Sequence, residues 1–226
     1  MAPNKKGRIK ILKDGPYMVT GGIRLTEKII VPKGNGYVYQ EGRKLPQSEK
    51  YFLCRCGYSK NAPFCDGIHA KIGFDGQETA SRTSYAERAS VLHGPNLDLM
   101  DDGRCAFARF CHREGGDVWE LTRRSDDPHC REEAILAACD CPTGRLTAVT
   151  KEGEMIEPDL EPEIEILQDP ERGVSGALFV KGGIIVEAAD GYEYEVRNRM
   201  ALCRCGKSRE KPFCDASHVP AEFADH

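Results

Sequence analysis

The chain has 226 residues, of which 40% are hydrophobic and 30% are charged, and 32 basic against 36 acidic residues leave a net charge of -4. This balance gives no strongly basic surface, so we expect neither nucleic acid nor a membrane as the main partner. The amino terminus lacks an apolar export signal and no run approaches about 18 apolar residues, which predicts a cytoplasmic protein.

Eleven cysteines are many for a chain of this length, and most of them lie in short stretches. The odd number, the tight clustering and the lack of an export signal favour metal ligation over a disulfide framework. We therefore expect the chemistry of the protein to lie in its cysteines.

The first cysteine-rich stretch, CRCGYSKNAPFCDGIH, runs from Cys54 to His69 and follows alternating β-type residues that predict short antiparallel strands. Cys54 and Cys56 lie on the same side of an extended segment, and Cys65 and His69, four residues apart, lie on one face of a helical turn. Each pair therefore suits one iron of a binuclear cluster.

Two neighbours of these ligands have predicted supporting roles. Asp66 follows the third cysteine, where a carboxylate can cap the predicted short helix. Ser59 can donate a hydrogen bond to cluster sulfur or to a loop carbonyl.

A structural zinc site is the alternative, because zinc also accepts thiolate and imidazole ligands. Structural zinc sites usually open with ligands two to four residues apart, whereas Cys54 and Cys56 have one residue between them. The spacing therefore favours an iron-sulfur cluster.

The middle of the chain carries five further cysteines: Cys105, Cys111, Cys130, Cys139 and Cys141. The run EEAILAAC has helical periodicity and ends at a Cys-Pro, so the last two of these cysteines are predicted where a helix stops. Trp119 is predicted to pack in the small core of this segment. His112 and His129 are candidate ligands, although exposed loop histidines are the commoner case.

The last stretch, CRCGKSREKPFCDASH, runs from Cys203 to His218 and agrees with the first stretch at ten of sixteen positions. The similarity extends upstream, so residues 8–70 and 163–219 form a duplicated unit. The repeat assigns a second ligand set of the same kind: Cys203, Cys205, Cys214 and His218.

Both stretches resemble the CDGSH iron-sulfur domain, whose pattern is C-x-C-x2-S/T-x3-P-x-C-D-G-S/A/T-H. The resemblance implies one 2Fe-2S cluster on each set of three cysteines and one histidine. Two positions depart from the pattern, because Ile68 stands where the family has a small residue and Ala216 stands where it has glycine. Alanine would resist a positive φ at that position.

The middle segment resembles the divergent single-cluster ferredoxin family of the 4Fe-4S type, through a C-x5-C pair and a distal C-P-T-G-R-L. The resemblance implies Cys105, Cys111 and Cys141 as ligands of an additional cluster. Cys139 is the candidate for the fourth ligand, with Cys130 as the other choice.

We predict a small β-rich (α+β) fold of three parts: a first unit (residues 1–84), a middle segment (85–154) and a second unit (155–226). Each unit is expected to be an antiparallel β unit with a short helix after its third cysteine, and the middle segment a ferredoxin-like insert. The single-motif relatives implied by the resemblance pair as homodimers, so the two units are expected to pair within one chain as a pseudo-dimer, leaving a monomer.

One-electron transfer is the leading function, because a 2Fe-2S centre exchanges electrons singly and a histidine ligand raises its potential. The alternatives are cluster transfer or iron and redox sensing, and a zinc-stabilised interaction module. No nucleotide loop or nucleophile elbow is present, so we do not expect an enzyme. The partner would be a redox protein or a cluster acceptor protein.

Overall fold

The structure is a computed structural model that describes residues 7–225. The elements of the first unit are β1 (Arg8–Ile11), β2 (Tyr17–Thr20), β3 (Arg24–Lys33), β4 (Gly36–Glu41), β5 (Lys50–Leu53) and α1 (Ile68–Lys71).

The middle segment and the second unit follow. The next elements are α2 (Tyr85–Arg88), β6 (Ser90–His93), β7 (Asp98–Asp101), β8 (His112–Arg113), β9 (Gly116–Asp117), α3 (Val118–Arg123), α4 (Pro128–Cys139), β10 (Leu146–Val149) and β11 (Met155–Ile156). The last strands are β12 (Glu163–Asp169), β13 (Val174–Lys181), β14 (Ile185–Glu187) and β15 (Arg199–Leu202).

Two sheets combine strands from both units. One has the order β14-β1-β2-β5 and the other the order β15-β13-β12-β3-β4. β1 pairs in parallel with β14, and β12 pairs in parallel with β3, whereas β1 with β2 and β12 with β13 are antiparallel. Each sheet therefore joins three strands of one unit to strands of the other, with the same pattern of directions in both.

The main hydrophobic core lies between these two sheets. Side chains alternate between buried and partly exposed along β1 and β2, as expected for strands with one face on a core. Ile9 and Leu25 of the first unit pack in this core with Ile164 and Val180 of the second. Burial of these shared side chains stabilises both units together, at about 1.5–3 kcal/mol for each fully buried aliphatic side chain.

β13 and β15 are buried almost throughout, unlike β1 and β2. Their second face is covered by the middle segment, where Ala106 packs with Ala177 and Ala201, and Phe110 packs with Phe179. Continuous burial is the pattern of a strand covered on both faces. The middle segment thus covers the second unit.

The middle segment has its own core beneath the sheet β11-β10-β7-β6. Helix α4 begins at Pro128, where Asp127 accepts hydrogen bonds from the next two backbone amides, and it ends at Cys139. The predicted helix before the Cys-Pro is therefore confirmed. Trp119 is partly buried against this core, and its indole nitrogen donates to Asp101 at 3.1 Å.

A fully buried arginine on β15 fixes the middle segment to the second unit. Arg199 donates to the carbonyls of Cys141 (3.0 Å) and Leu146 (3.1 Å), and also to that of Ala138 at the end of α4. Its guanidinium is paired with Glu157 at 2.8 Å. A cation at a helix carboxyl end is favourable because the last carbonyls lack helical partners.

The predicted small β-rich class is confirmed, with one local correction. A four-residue helix, α1, follows the third cysteine of the first unit, but the corresponding residues 217–222 of the second unit form turns. Pro220 stands where the first unit has Lys71 and lacks an amide donor, so a helix is not favoured there. Ala216 adopts a φ of 66°, as Gly67 adopts 85° in the first unit, although alanine was expected to resist a positive φ. No helix within residues 7–225 is long and apolar enough to cross a membrane.

Candidate metal centres

The first site consists of Cys54, Cys56, Cys65 and His69, and its donors converge in two pairs. The sulfurs of Cys54 and Cys56 are 3.6 Å apart after β5, and the sulfur of Cys65 lies 3.3 Å from Nδ1 of His69. Nδ1 is therefore the imidazole nitrogen that faces the thiol.

The second site repeats this arrangement with Cys203, Cys205, Cys214 and His218. The sulfurs of Cys203 and Cys205 are also 3.6 Å apart, and the sulfur of Cys214 lies 3.5 Å from Nδ1 of His218. Across residues 7–225, no group of three or more His, Cys, Asp or Glu side chains converges on a point for one metal ion. In each site the four donor side chains form two pairs, one of two cysteines and one of a cysteine with a histidine.

One thiol in each Cys-x-Cys pair has a lowered pKa and ionises more readily than an ordinary cysteine. The hydrogen bond from Cys56 lowers the pKa of Cys54 to about 6, and that from Cys205 lowers the pKa of Cys203 to about 7, with help from backbone amides. Burial raises the pKa of Cys214, so this thiol favours its proton until a cation is bound.

The loop that carries each site is closed by a serine and an aspartate. Ser59 donates to the carbonyl of Phe64 at 2.5 Å and Ser208 donates to that of Phe213 at 2.7 Å, so both serines use the predicted loop carbonyl and not sulfur. Asp66 accepts from the amide of Ile68 at 3.0 Å. The N-cap residue of α1 is Gly67, so Asp66 closes the turn before the helix and does not cap it, contrary to the prediction.

A buried arginine between the first two cysteines of each motif was not identified from the sequence. Arg55 and Arg204 are 2% and 3% exposed, and each donates to two backbone carbonyls from segments distant in sequence. Arg204 is also paired with Asp225. The signal was present, because this arginine is one of the ten positions shared by the two motifs.

The two loops contact each other through glycines with positive φ. A Cβ on Gly206 would lie 2.5 Å from the carbonyl oxygen of Cys56, and a Cβ on Gly57 would come similarly close to that of Cys205. Only glycine permits this approach. The Tyr17 hydroxyl, from β2 of the first unit, donates to the carbonyl of Cys203 at 2.7 Å.

The two sites differ in their exposure. Cys214 and His218 are each 3% exposed, whereas Cys65 and His69 are half-buried. Burial, together with the charge of Arg204, lowers the pKa of His218 to about 4. Solvent therefore reaches the histidine end of the first site more readily than that of the second.

In the middle segment, Cys105, Cys111 and Cys141 line one cavity, together with Trp119 and Arg145. The amide of Phe107 donates to the sulfur of Cys105 at 3.3 Å, and the sulfur of Cys141 lies 3.1 Å from the Thr143 hydroxyl. The structure therefore brings together three of the four cysteines predicted here.

The remaining two of the five cysteines in this segment, Cys130 and Cys139, point elsewhere. The Cys139 sulfur, in the last turn of α4, lies 3.9 Å from the carbonyl of Ile156, and the Cys130 sulfur accepts from Arg124 at 2.9 Å. Neither residue lines the cavity of the other three. His112 and His129 are exposed, but they lie in β8 and in the first turn of α4 and not in loops as expected.

Family models match most of the chain. The model described as iron-binding zinc finger CDGSH type matches residues 14–70 and 175–219, and the model described as divergent 4Fe-4S mono-cluster matches residues 92–151. No curated protein and no solved structure gives a significant match to the chain. Paired thiolate and imidazole donors lie where the matches place their motifs. The chain is an iron-sulfur protein in which two CDGSH-type segments flank one divergent 4Fe-4S mono-cluster segment.

Proposed function

We propose that the protein is a one-electron carrier with a 2Fe-2S cluster at each of the two CDGSH-type sites. The observation that carries this proposal is the pairing of the donors. In both sites separate parts of the same loop form one cysteine pair and one Cys-His pair. Such a cluster would supply reversible one-electron chemistry, and the two donor pairs would hold one iron each.

The donor geometry favours a binuclear cluster over a single zinc ion. A structural zinc ion needs four donors around one centre at about 2.0–2.3 Å. The sulfur separation of 3.6 Å in each cysteine pair suits two ligands of one metal, and the Cys-His pair provides the same for a second. The residues of each site therefore fit the cluster.

The internal pairing is part of this proposal. The equivalent parallel contacts, β1 with β14 and β3 with β12, are what a two-fold arrangement of the units requires. The reciprocal contacts of Gly57 with Cys205 and of Gly206 with Cys56 follow the same symmetry. We infer an intrachain pseudo-dimer and a monomer in solution, acting with a redox protein in the cytoplasm and not as an enzyme.

A third cluster in the middle segment would be held by Cys105, Cys111 and Cys141, which line one cavity. Arg145 also lines this cavity, and its guanidinium is paired with Asp101 at 2.6 Å. If the cluster is of the 4Fe-4S type, its fourth iron would need a ligand other than these three cysteines. Three thiolates together are a donor set suited to iron-sulfur clusters.

Cluster transfer is a second candidate function, and it applies to the first site. Cys65 and His69 are half-buried and α1 contains no buried residue, so an acceptor protein has access to that end of the cluster. A buried second site would keep its cluster while the first gives its cluster away. Incubation with an apo-ferredoxin should then remove one 2Fe-2S cluster from each chain, and the His69→Cys variant should lose it more slowly.

Iron and acid-labile sulfide analysis of the anaerobically purified full chain tests the main proposal. Each should be about four atoms per chain from the two sites, and more when the middle segment is loaded. Dithionite should bleach the visible absorption and produce the electron paramagnetic resonance (EPR) signal of reduced 2Fe-2S, and air should reverse the change. A protein that contains zinc and no iron would refute the proposal. A content of about two iron atoms per chain would show that one of the two sites holds no cluster.

A further inference from the structure

Three consecutive residues of the middle segment lie against the second site. Ala106 packs with Cys214 in a small buried cluster, and the Arg104 guanidinium lies 4.2 Å from the ring centroid of Phe213, the residue before Cys214. Arg104 and Cys214 also line the same cavity. Cys105, between Arg104 and Ala106, adds its charge to the effects that raise the pKa of Cys214, of which burial is the largest.

Arg104 is not neutralised by the carboxylate next to it. Asp102 is paired with Arg88 at 2.9 Å, and Arg104 itself donates to the carbonyl of Ser81 at 3.2 Å. The half-buried guanidinium of Arg104 therefore faces the second site, and its positive charge is not neutralised by Asp102.

Among residues 7–225, no cation stacks on the phenylalanine of the first site in the way that Arg104 stacks on Phe213. Phe64 occupies the position of Phe213 and packs edge-on against Tyr51, with ring centroids 6.4 Å apart. Within residues 7–225, the cation–ring contacts include Arg104 with Phe213 but none to Phe64. At the second site the middle segment supplies this contact, whereas Phe64 of the first unit packs with Tyr51 of its own unit.

A 2Fe-2S cluster on three thiolates and one neutral imidazole carries a net negative charge, and reduction adds another. A cation nearby therefore stabilises the reduced form more than the oxidised form, and this effect is larger where water is excluded. We propose that Arg104 is a charge partner that the middle segment supplies to the second cluster, and that it holds the reduction potential of that cluster higher than it would otherwise be. This inference rests on the proposed 2Fe-2S clusters.

The test is an EPR-monitored redox titration of the loaded full chain, comparing the wild type with Arg104→Met and Arg104→Lys. The His218→Cys variant identifies which signal belongs to the second site. Arg82→Met is the matched control, because Arg82 lines the same cavity but is exposed and paired with Asp190 at 2.6 Å.

We expect Arg104→Met to lower the potential of the second cluster and leave the first unchanged, Arg104→Lys to keep most of the wild-type value, and Arg82→Met to change neither. An unchanged second potential in a loaded Arg104→Met protein would overturn the inference, and so would an equal fall at both sites. If Arg104→Met loses iron, Arg104→Gln is titrated in its place with the same expected shift. A wild type without 2Fe-2S signals would overturn the proposed function as well.

Discussion

Gly206 lies directly against the backbone of Cys56, and a Cβ on this glycine would lie 2.5 Å from the Cys56 carbonyl oxygen. The contact joins a ligand of the first site to the loop of the second. Since both partners are main chain, neither can move aside without displacing a cysteine ligand.

We therefore expect Gly206→Ala to destabilise the protein and to release iron from both sites. A left-handed alanine costs about 1–2 kcal/mol, and the clash should add about 1–3 kcal/mol. Gly67→Ala is the control, because Gly67 has a similar φ of 85° with open space around it, and Ala216 occupies the equivalent position of the second motif. Thermal unfolding and iron release, measured on both variants, test this expectation. Equal melting temperatures and equal iron release in Gly206→Ala and Gly67→Ala would contradict it.

His69→Cys and His218→Cys should each lower the potential of the cluster at the altered site, because a thiolate adds negative charge that favours the oxidised form. The first cluster should also survive acid better in His69→Cys, since the half-buried His69 is the accessible ligand. Visible absorption followed during acidification measures this. Equal bleaching of wild type, both single variants and the double variant would show that the histidines are not the labile ligands.

Cys105→Ala should reduce the iron content of the middle segment, whereas Cys139→Ala should leave it unchanged. The reason is that Cys105 lines the cavity with Cys111 and Cys141, and the Cys139 sulfur faces the carbonyl of Ile156. Iron analysis per chain, with EPR to separate the cluster types, checks this pair. Equal loss of iron from both variants would restore Cys139 as the fourth ligand.

The pairing of Glu157 with Arg199 predicts how stability depends on pH. Burial raises the pKa of Glu157, but the hydrogen bond and charge of Arg199 lower it more, so the folded pKa lies below the unfolded value of about 4.3. This stabilisation is complete above the unfolded pKa and is lost as the pH falls toward the folded pKa.

We expect Glu157→Gln to lower the melting temperature at pH 7 and to converge with the wild type below about pH 4. Fluorescence of Trp119, the single tryptophan, reports unfolding of the middle segment. Glu152→Gln is the control, because Glu152 is exposed. A constant difference between Glu157→Gln and wild type at all pH values would contradict the expectation.

The pairing of the donor side chains in both sites could be predicted from the sequence because it is local. Cys54 and Cys56 are two residues apart just after β5, and Cys65 and His69 are four residues apart. The predicted helical turn between Cys65 and His69 was wrong, because Gly67, with a φ of 85°, separates Cys65 from α1. The β-rich class followed from alternating residues for the same reason.

The parts that the sequence did not predict depend on contacts between distant residues. Arg199 reaches the carbonyl of Cys141, and Ala106 reaches Cys214, only because the middle segment folds onto the second unit. The direction of the Cys139 side chain is likewise set by how α4 packs beside β11. Local spacing carries no information about such packing.

Separated units should not be stable as monomers. β3 of the first unit pairs with β12 of the second over six residues, from Arg24 with Glu163 to Ile29 with Gln168. An isolated first unit (residues 1–84) would expose this strand edge, which invites association. Light scattering should show a monomeric full chain and a dimeric or aggregated fragment, and a well-folded monomeric fragment would contradict the internal pairing.

Joining both motifs in one chain also frees them to diverge. The residue of the second unit that corresponds to Tyr17 is Leu178, which has no hydroxyl. The correspondence follows from the strand pairing, because Tyr17 pairs with Leu53 and Leu178 pairs with the equivalent Leu202. The hydrogen bond to the carbonyl of Cys203 therefore has no mirror-image counterpart from Leu178. In an assembly of identical subunits every substitution is made twice, whereas here a mutation changes one loop alone, so selection can act on each cluster separately.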